Sequence, residues 1–335
     1  LEWRQEVSDR WEIAPFLRHH HQNAADFFHN TLDGVPVAAP PDYPGGSEPN
    51  YSSDYRLSSL ETIGLGLRVT FKVSDGSLES AVVTVRFTIG KQSGNVVNIP
   101  AGYLYGTQNW VATNTYILTG FTYVMSNAVL NIEPGTVIKG VSGTGTSSSA
   151  ANDFGCLFVC RGGKINANGT PNNPIIMTAE VDDVTDPGDL PFPSRGLWGG
   201  IVVFGNARLN NPGWTTNNVS YDIYEGLPDL AITNAVSGQV DYLHRYGGTD
   251  DDDNSGVFRY VSVRHGGKKL TTDKEINGWS LCGVGRGTVA DYLEAYCVAD
   301  DGFEFFGGSV NTKHLVAAFN DDDGFDTDMG YNGQN

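Results

Sequence analysis

The 335-residue chain is short of positive charge, of cysteine and of long apolar runs, and each shortage removes a class of function. Lys and Arg number 21 against 39 Asp and Glu, a formal net charge of −18 at neutral pH. A surface of that sign repels phosphate backbones and anionic membranes, so nucleic acid is not an expected partner and divalent cations are. No apolar run approaches the roughly 18 residues that cross a bilayer, so no transmembrane segment is expected. Cys156, Cys160, Cys282 and Cys297 contain no Cys-x-x-Cys pair, which disfavours zinc. Cys156 and Cys160 share a face of an extended strand but stand too far apart to bond each other. Buried free thiols or a Cys282–Cys297 disulfide remain open. Neither a Gly-x-Ser-x-Gly elbow nor a phosphate-binding Gly-rich loop with Lys-Ser/Thr occurs, and the spaced glycines Gly283, Gly285 and Gly287 sit between strands, so no nucleotide or redox cofactor is expected. The chain begins at Leu1 with no signal peptide and reads as a processed, truncated or engineered product.

Apolar stripes of helical period are scarce as well, whereas Gly numbers 42 and strand-favouring residues recur in short runs. Together these predict an all-β protein rich in tight turns. Residues 1–50 are an irregular segment and linker; Leu1–Leu17 is compatible with a short amphipathic helix, and His19, His20 and His21 with either a transition-metal catch or a solvated run. Residues 51–104 read as a β-rich, immunoglobulin-like spacer. Leu65, Leu67, Val69, Phe71 and Val73 alternate with smaller or polar residues, Ser74–Ser77 turns, and Ala81, Val83, Val85, Phe87 and Ile89 alternate again, a hairpin with one buried face.

From residue 105 the sequence repeats itself. Asn277-Gly278-Trp279-Ser280-Leu281, Asp301-Gly302-Phe303-Glu304-Phe305 and Asp323-Gly324-Phe325-Asp326-Thr327 align on their turns, and strands starting at Tyr260, Tyr292 and His314 repeat beside them. A single such unit cannot bury its inner face, but stacked units share a continuous core, so direct repeats of about 22 residues predict a parallel β-helix over 105–335, interrupted by a long insertion at 211–255. EPGTVIKG, GLWGGIVVFGNA, YGGTDDDDNSGVFRYVSVRHGG, EINGWSLCGVGRGT and DDGFEFFGGSVNTKHLV resemble a family of secreted right-handed parallel β-helix proteins of Bacteroidota and related phyla, many of which carry type IX secretion signals. The resemblance implies a pectate-lyase-like solenoid and an extracellular or outer-surface location. It carries over no catalytic residues.

Acidic residues supply most of the candidate chemistry. On stacked coils Phe303 and Phe305 should face inward and Glu304 outward, with Ser280 on one side of Glu304 and Asp326 on the other, while Asn277, Asp301 and Asp323 form a second column. Coils lie about 4.8 Å apart, where two carboxylates repel by roughly 3–4 kcal/mol at an effective dielectric of 20. Stacking Asp300, Asp301 and Glu304 on Asp322, Asp323 and Asp326 therefore calls for solvation, a shared proton or a hard cation such as Ca2+. Asp250, Asp251, Asp252 and Asp253 form a second candidate cation loop, or a solvated one. Catalysis has its own candidates in Asp300, Asp301 and Glu304, because the Ala-Asp-Asp segment resembles that of polygalacturonases, whose accompanying histidine motifs are absent, and in His265 and Arg264, either an acid/base and anion-binding pair or one exposed and one core residue. Trp214, Tyr221, Tyr224 and Tyr246 can stack on sugars or pack the insertion. The expected function is structural, adhesive or glycan-binding, with surface polysaccharide or extracellular proteins as partners. The alternative is a lyase, hydrolase or epimerase acting on acidic glycans.

Overall fold

The computed structural model describes residues 95–143, 153–186, 188–210, 220–271 and 274–334 in full, together with the backbone of six earlier strands. Among the described residues every regular element is a strand, and no helix is long and apolar enough to cross a membrane.

The earlier strands correct the reading of residues 1–50. Where an amphipathic helix was expected, Gln5–Ser8 and Trp11–Gln22 are strands. Pro15 explains the preference, since a helix interior cannot accommodate it, whereas the pairing of Gln5–Ser8 with Trp11–Ile13 stops short of Pro15 among the described residues. Trp11–Gln22 pairs in full with Leu60–Phe71, which pairs in turn with Ala81–Gly90. The result is one antiparallel sheet, and it crosses the expected boundary at residue 50. The expected alternation of Leu65–Phe71 and Ala81–Ile89 falls on these two strands; the side chains of both, and of His19–His21, lie outside the described residues.

Parallel stacking starts at Asn95–Ile99, ahead of the boundary expected at 105. From there each coil contributes to three faces. The first holds Thr107–Trp110, Val129–Ile132 and Lys164–Asn168; the second holds Asn95–Ile99, Asn114–Leu118, Val137–Gly140 and Ile175–Ala179. The long strands Gly256–Arg264, Val289–Tyr296 and Thr312–Ala318 continue both, bending from the first to the second at Tyr260, Tyr292 and His314. Those three residues have φ of 49°, 55° and 50°, a left-handed conformation that costs a side chain about 1–2 kcal/mol. Their rings stack at 4.5 and 4.1 Å, which offsets part of that cost. The third face runs Gly102–Leu104, Phe121–Val124, Cys156–Val159, Ile201–Phe204, Trp279–Cys282, Phe303–Phe306 and Phe325–Asp328.

The buried Trp279 and Phe303 and the exposed Phe325 stack nearly parallel, with centroid spacings of 6.1 and 5.4 Å. On the first face Asn109, Asn131 and Asn166 form an amide ladder with bonds of 2.9 and 2.8 Å, a ladder unseen in the sequence. All four cysteines are free and buried. The Cys282–Cys297 disulfide does not form because Cys282 ends a third-face strand while Cys297 lies at the corner after the second face.

The insertion builds a second core outside the third face. Tyr224 and Tyr246 are buried against Phe204 and Phe306, and Tyr123 bonds His244 at 2.9 Å. These tyrosines therefore pack the insertion and present no face to a sugar. Tyr221 lies under the guanidinium of Arg245, and Trp214 lies outside the described residues.

Candidate metal centre

One outward column on the third face runs Tyr123, Phe158, Val202, Ser280, Glu304, Asp326. The expected neighbours of Glu304 are therefore observed. Its exposure is not, because at 9 % Glu304 faces outward yet is nearly buried. Ser280 beside it bonds Tyr224 at 2.9 Å, and Asn277 donates its amide to both Ser280 and Glu304.

The adjoining column solves part of the repulsion expected for stacked acids. The Asn277 side-chain oxygen accepts the Asp301 backbone N–H at 3.3 Å, and the Asp301 carboxylate accepts that of Asp323 at 2.9 Å. Each rung thus contacts a donor of the next coil instead of another carboxylate. These donors do not separate the carboxylates from one another. Oxygens of Asp300, Asp301 and Asp322 lie within 4.8 Å of one another, and so do those of Asp301, Glu304 and Asp326. Asp301 is common to both groups.

Burial and mutual repulsion raise the pKa of each inner member. Glu304 is pushed to about 9, first by desolvation and then by Asp301. Asp300 rises to about 7 through desolvation and the charges of Asp301, Glu275 and Asp322. Asp301 rises to about 6 for the same reasons, its bond from Asp323 acting against the trend. The nearby Lys274 is committed to Glu225. A raised pKa means that the ionised set lacks compensating positive charge, which a proton or a hard cation would supply.

The other expected residues lie elsewhere. Asp250–Asp253 sit at the opposite end of the third-face strands. Asp251 pairs with Arg208 and Arg286, Asp252 pairs with Arg286, and Asp253 accepts from Asn206. Their charge is met by protein donors. Arg264 and His265 belong to the second face and its corner, both buried. Arg264 donates to Ser262 at 2.8 Å and lies 4.0 Å from the buried Glu294.

Comparison with known proteins agrees with this architecture. No curated protein and no solved structure matches the chain. A family described only as a protein of unknown function matches residues 1–110. Residues 104–335, well over half of the sequence, match the pectate-lyase-like β-helix domain, and the chain belongs to that family.

Proposed function

We propose that this chain is an extracellular β-helix scaffold that binds calcium at the corner formed by Asp300, Asp301, Glu304, Asp322 and Asp326, and uses it in adhesion or glycan binding. The observation that carries the reading is the 4.8 Å limit on oxygen separation in both acidic groups. Calcium–oxygen bonds of about 2.3–2.6 Å put the ligands of one ion at most about 5 Å apart. An extracellular location is supported by the resemblance of the coil motifs to secreted β-helices, and a calcium bridge would let a surface of charge −18 engage acidic glycans.

The test is a calorimetric titration with calcium at pH 8. Binding with proton release is expected, and Asp301→Asn should weaken it most because Asp301 serves both groups. An unaltered titration in that variant would count against the assignment. Glu304→Gln gives a second signature: calcium affinity falls, yet the cation-free variant melts higher than the parent above pH 8. The glutamine still accepts from Asn277 but no longer forces a charge into a buried site.

Catalysis is a second reading, favoured by one observation, a largely protonated Glu304 beside ionisable aspartates. Glycosidases separate their two carboxyl groups by about 5–5.5 or 6.5–9.5 Å to admit a sugar carbon or a water. The tighter cluster suits an ion better. Shortened or unsaturated products from uronate polymers, lost in Asp301→Asn, would reverse that preference.

A further inference from the structure

On the second face, the segment between Ile175–Ala179 and Ile201–Phe204 replaces a short turn and arches over the coils that follow. Beneath it is an open recess of about 80 Å3, lined by Asp182, Asp186 and Asp189 on the arch, by Leu190, Pro191 and Phe192 at the rim, and by Arg264, His265, Tyr296 and Cys297 below. That is well below the ~300–1,000 Å3 of clefts that enclose a whole small ligand, and leaves room for one charged group of a ligand whose remainder lies on the rim. It is separate from the acidic corner, with none of that corner's residues in its lining.

Its polar groups are held but not neutralised by charge. Asp182 accepts from Thr178, Asp186 from the Gly188 N–H, and Asp189 from the Asp183 N–H. Among the described residues none of the three forms an ion pair. The cations nearby are committed: Arg264 lies between Ser262 and Glu294, Arg195 pairs with Asp321, and Lys139 donates to the carbonyls of Glu180 and Asp182. His265 uses Nδ1 on the Ser194 carbonyl at 2.6 Å. That carbonyl can only accept, so Nδ1 carries the proton and Nε2 is left as an acceptor toward the recess. At the rim Phe192, 67 % exposed, packs edge-on against Phe319, 54 % exposed, which packs edge-on against Tyr296.

We propose that this recess takes the ammonium group of an amino sugar with a free amine, whose ring lies on the rim against Phe192. Acceptors outnumber available donors throughout the lining, so the ligand must bring hydrogen-bond donors. Three aspartates without a cationic partner select a positive charge among those donors. The exposed phenylalanine edge offers an apolar surface to the C–H face of a pyranose ring and favours a nearby ammonium. The same charge rejects uronates, so the site is distinct in ligand class from the calcium corner.

The experiment is a calorimetric titration with a fully deacetylated glucosamine tetramer, run in chelator so that the result does not depend on the cation site. Glucose oligomers, the N-acetylated tetramer and lysine are titrated in parallel. Binding of the glucosamine tetramer is expected to exceed each of the other three by about tenfold or more. Phe192→Ala and Asp189→Asn alter exposed positions, preserve the circular dichroism spectrum, and should each lower that affinity by about tenfold. Equal binding of the N-acetylated or glucose oligomer overturns the demand for an amine, and equal binding of lysine overturns the demand for a ring. Affinity unchanged in both variants, or no binding, overturns the site.

Discussion

Excess EGTA at pH 8 is expected to lower the thermal unfolding midpoint by about 5–10 °C relative to the calcium-saturated protein. Calcium at about 100 times its dissociation constant adds about 2.7 kcal/mol to the folded state, and each kcal/mol moves the midpoint of a domain of this size by about 2–4 °C. The pH dependence makes the expectation specific. Glu304, Asp300 and Asp301 have folded-state pKa values of about 9, 7 and 6, against about 4 in an unfolded chain. Between about pH 4 and 9 the unfolded chain therefore holds fewer protons than the folded one, so the cation-free fold loses stability as pH rises. Calcium competes with those protons and binds more tightly as they leave. The midpoint in chelator should fall steadily from pH 5 to pH 9, whereas the midpoint in calcium should stay nearly flat. Parallel curves, unaffected by the ion at every pH, would remove the cation from the corner.

Gly256→Ala should be as damaging, through the stack itself. Gly256 has φ of +117°, and an added Cβ would lie 2.0 Å from the Ile165 carbonyl oxygen of the neighbouring coil. Neither atom can rotate away, because both belong to backbone in a continuous parallel ladder. Backbone strain of about 1–3 kcal/mol and overpacking of about 1–3 kcal/mol add, so a loss of about 4 kcal/mol is expected. Gly162→Ala is the matched control. Its φ is +78° but its nearest neighbour would be 3.7 Å away, leaving about 1 kcal/mol of left-handed strain. Chemical denaturation of the two variants checks the contrast, and equal losses would mean that coil spacing does not set the cost.

The registers Ser280–Glu304–Asp326 and Trp279–Phe303–Phe325 were legible in the sequence because uninterrupted coils return each side chain to the same column every 22 residues or so. What the columns face was not. Glu304 alternates like a solvated residue, yet it is nearly buried, takes the Asn277 amide and lies beside Ser280, which bonds Tyr224 of the distant insertion, a contact with no local periodicity to announce it. The bends at Tyr260, Tyr292 and His314 were likewise hidden, since aromatic residues give no warning of positive φ. The surroundings of Asp250–Asp253 were equally hidden. Four adjacent acids suggest an ion, but Arg208 and Arg286, 42 and 36 positions from Asp250, had no sequence mark tying them to that loop. The recess under the arch escaped notice for the same reason: Asp189, Phe192, His265 and Tyr296 are neighbours only because coils stack.

The most direct measurement is a crystal grown in calcium, with anomalous scattering recorded at long wavelength. An anomalous peak is expected within about 2.3–2.6 Å of carboxylate oxygens of Asp301 and of Glu304 and Asp326, or of Asp300 and Asp322. Well-ordered carboxylates at that corner with no anomalous density, in calcium well above millimolar, would contradict the proposal that stacked acids are reconciled there by a bound ion.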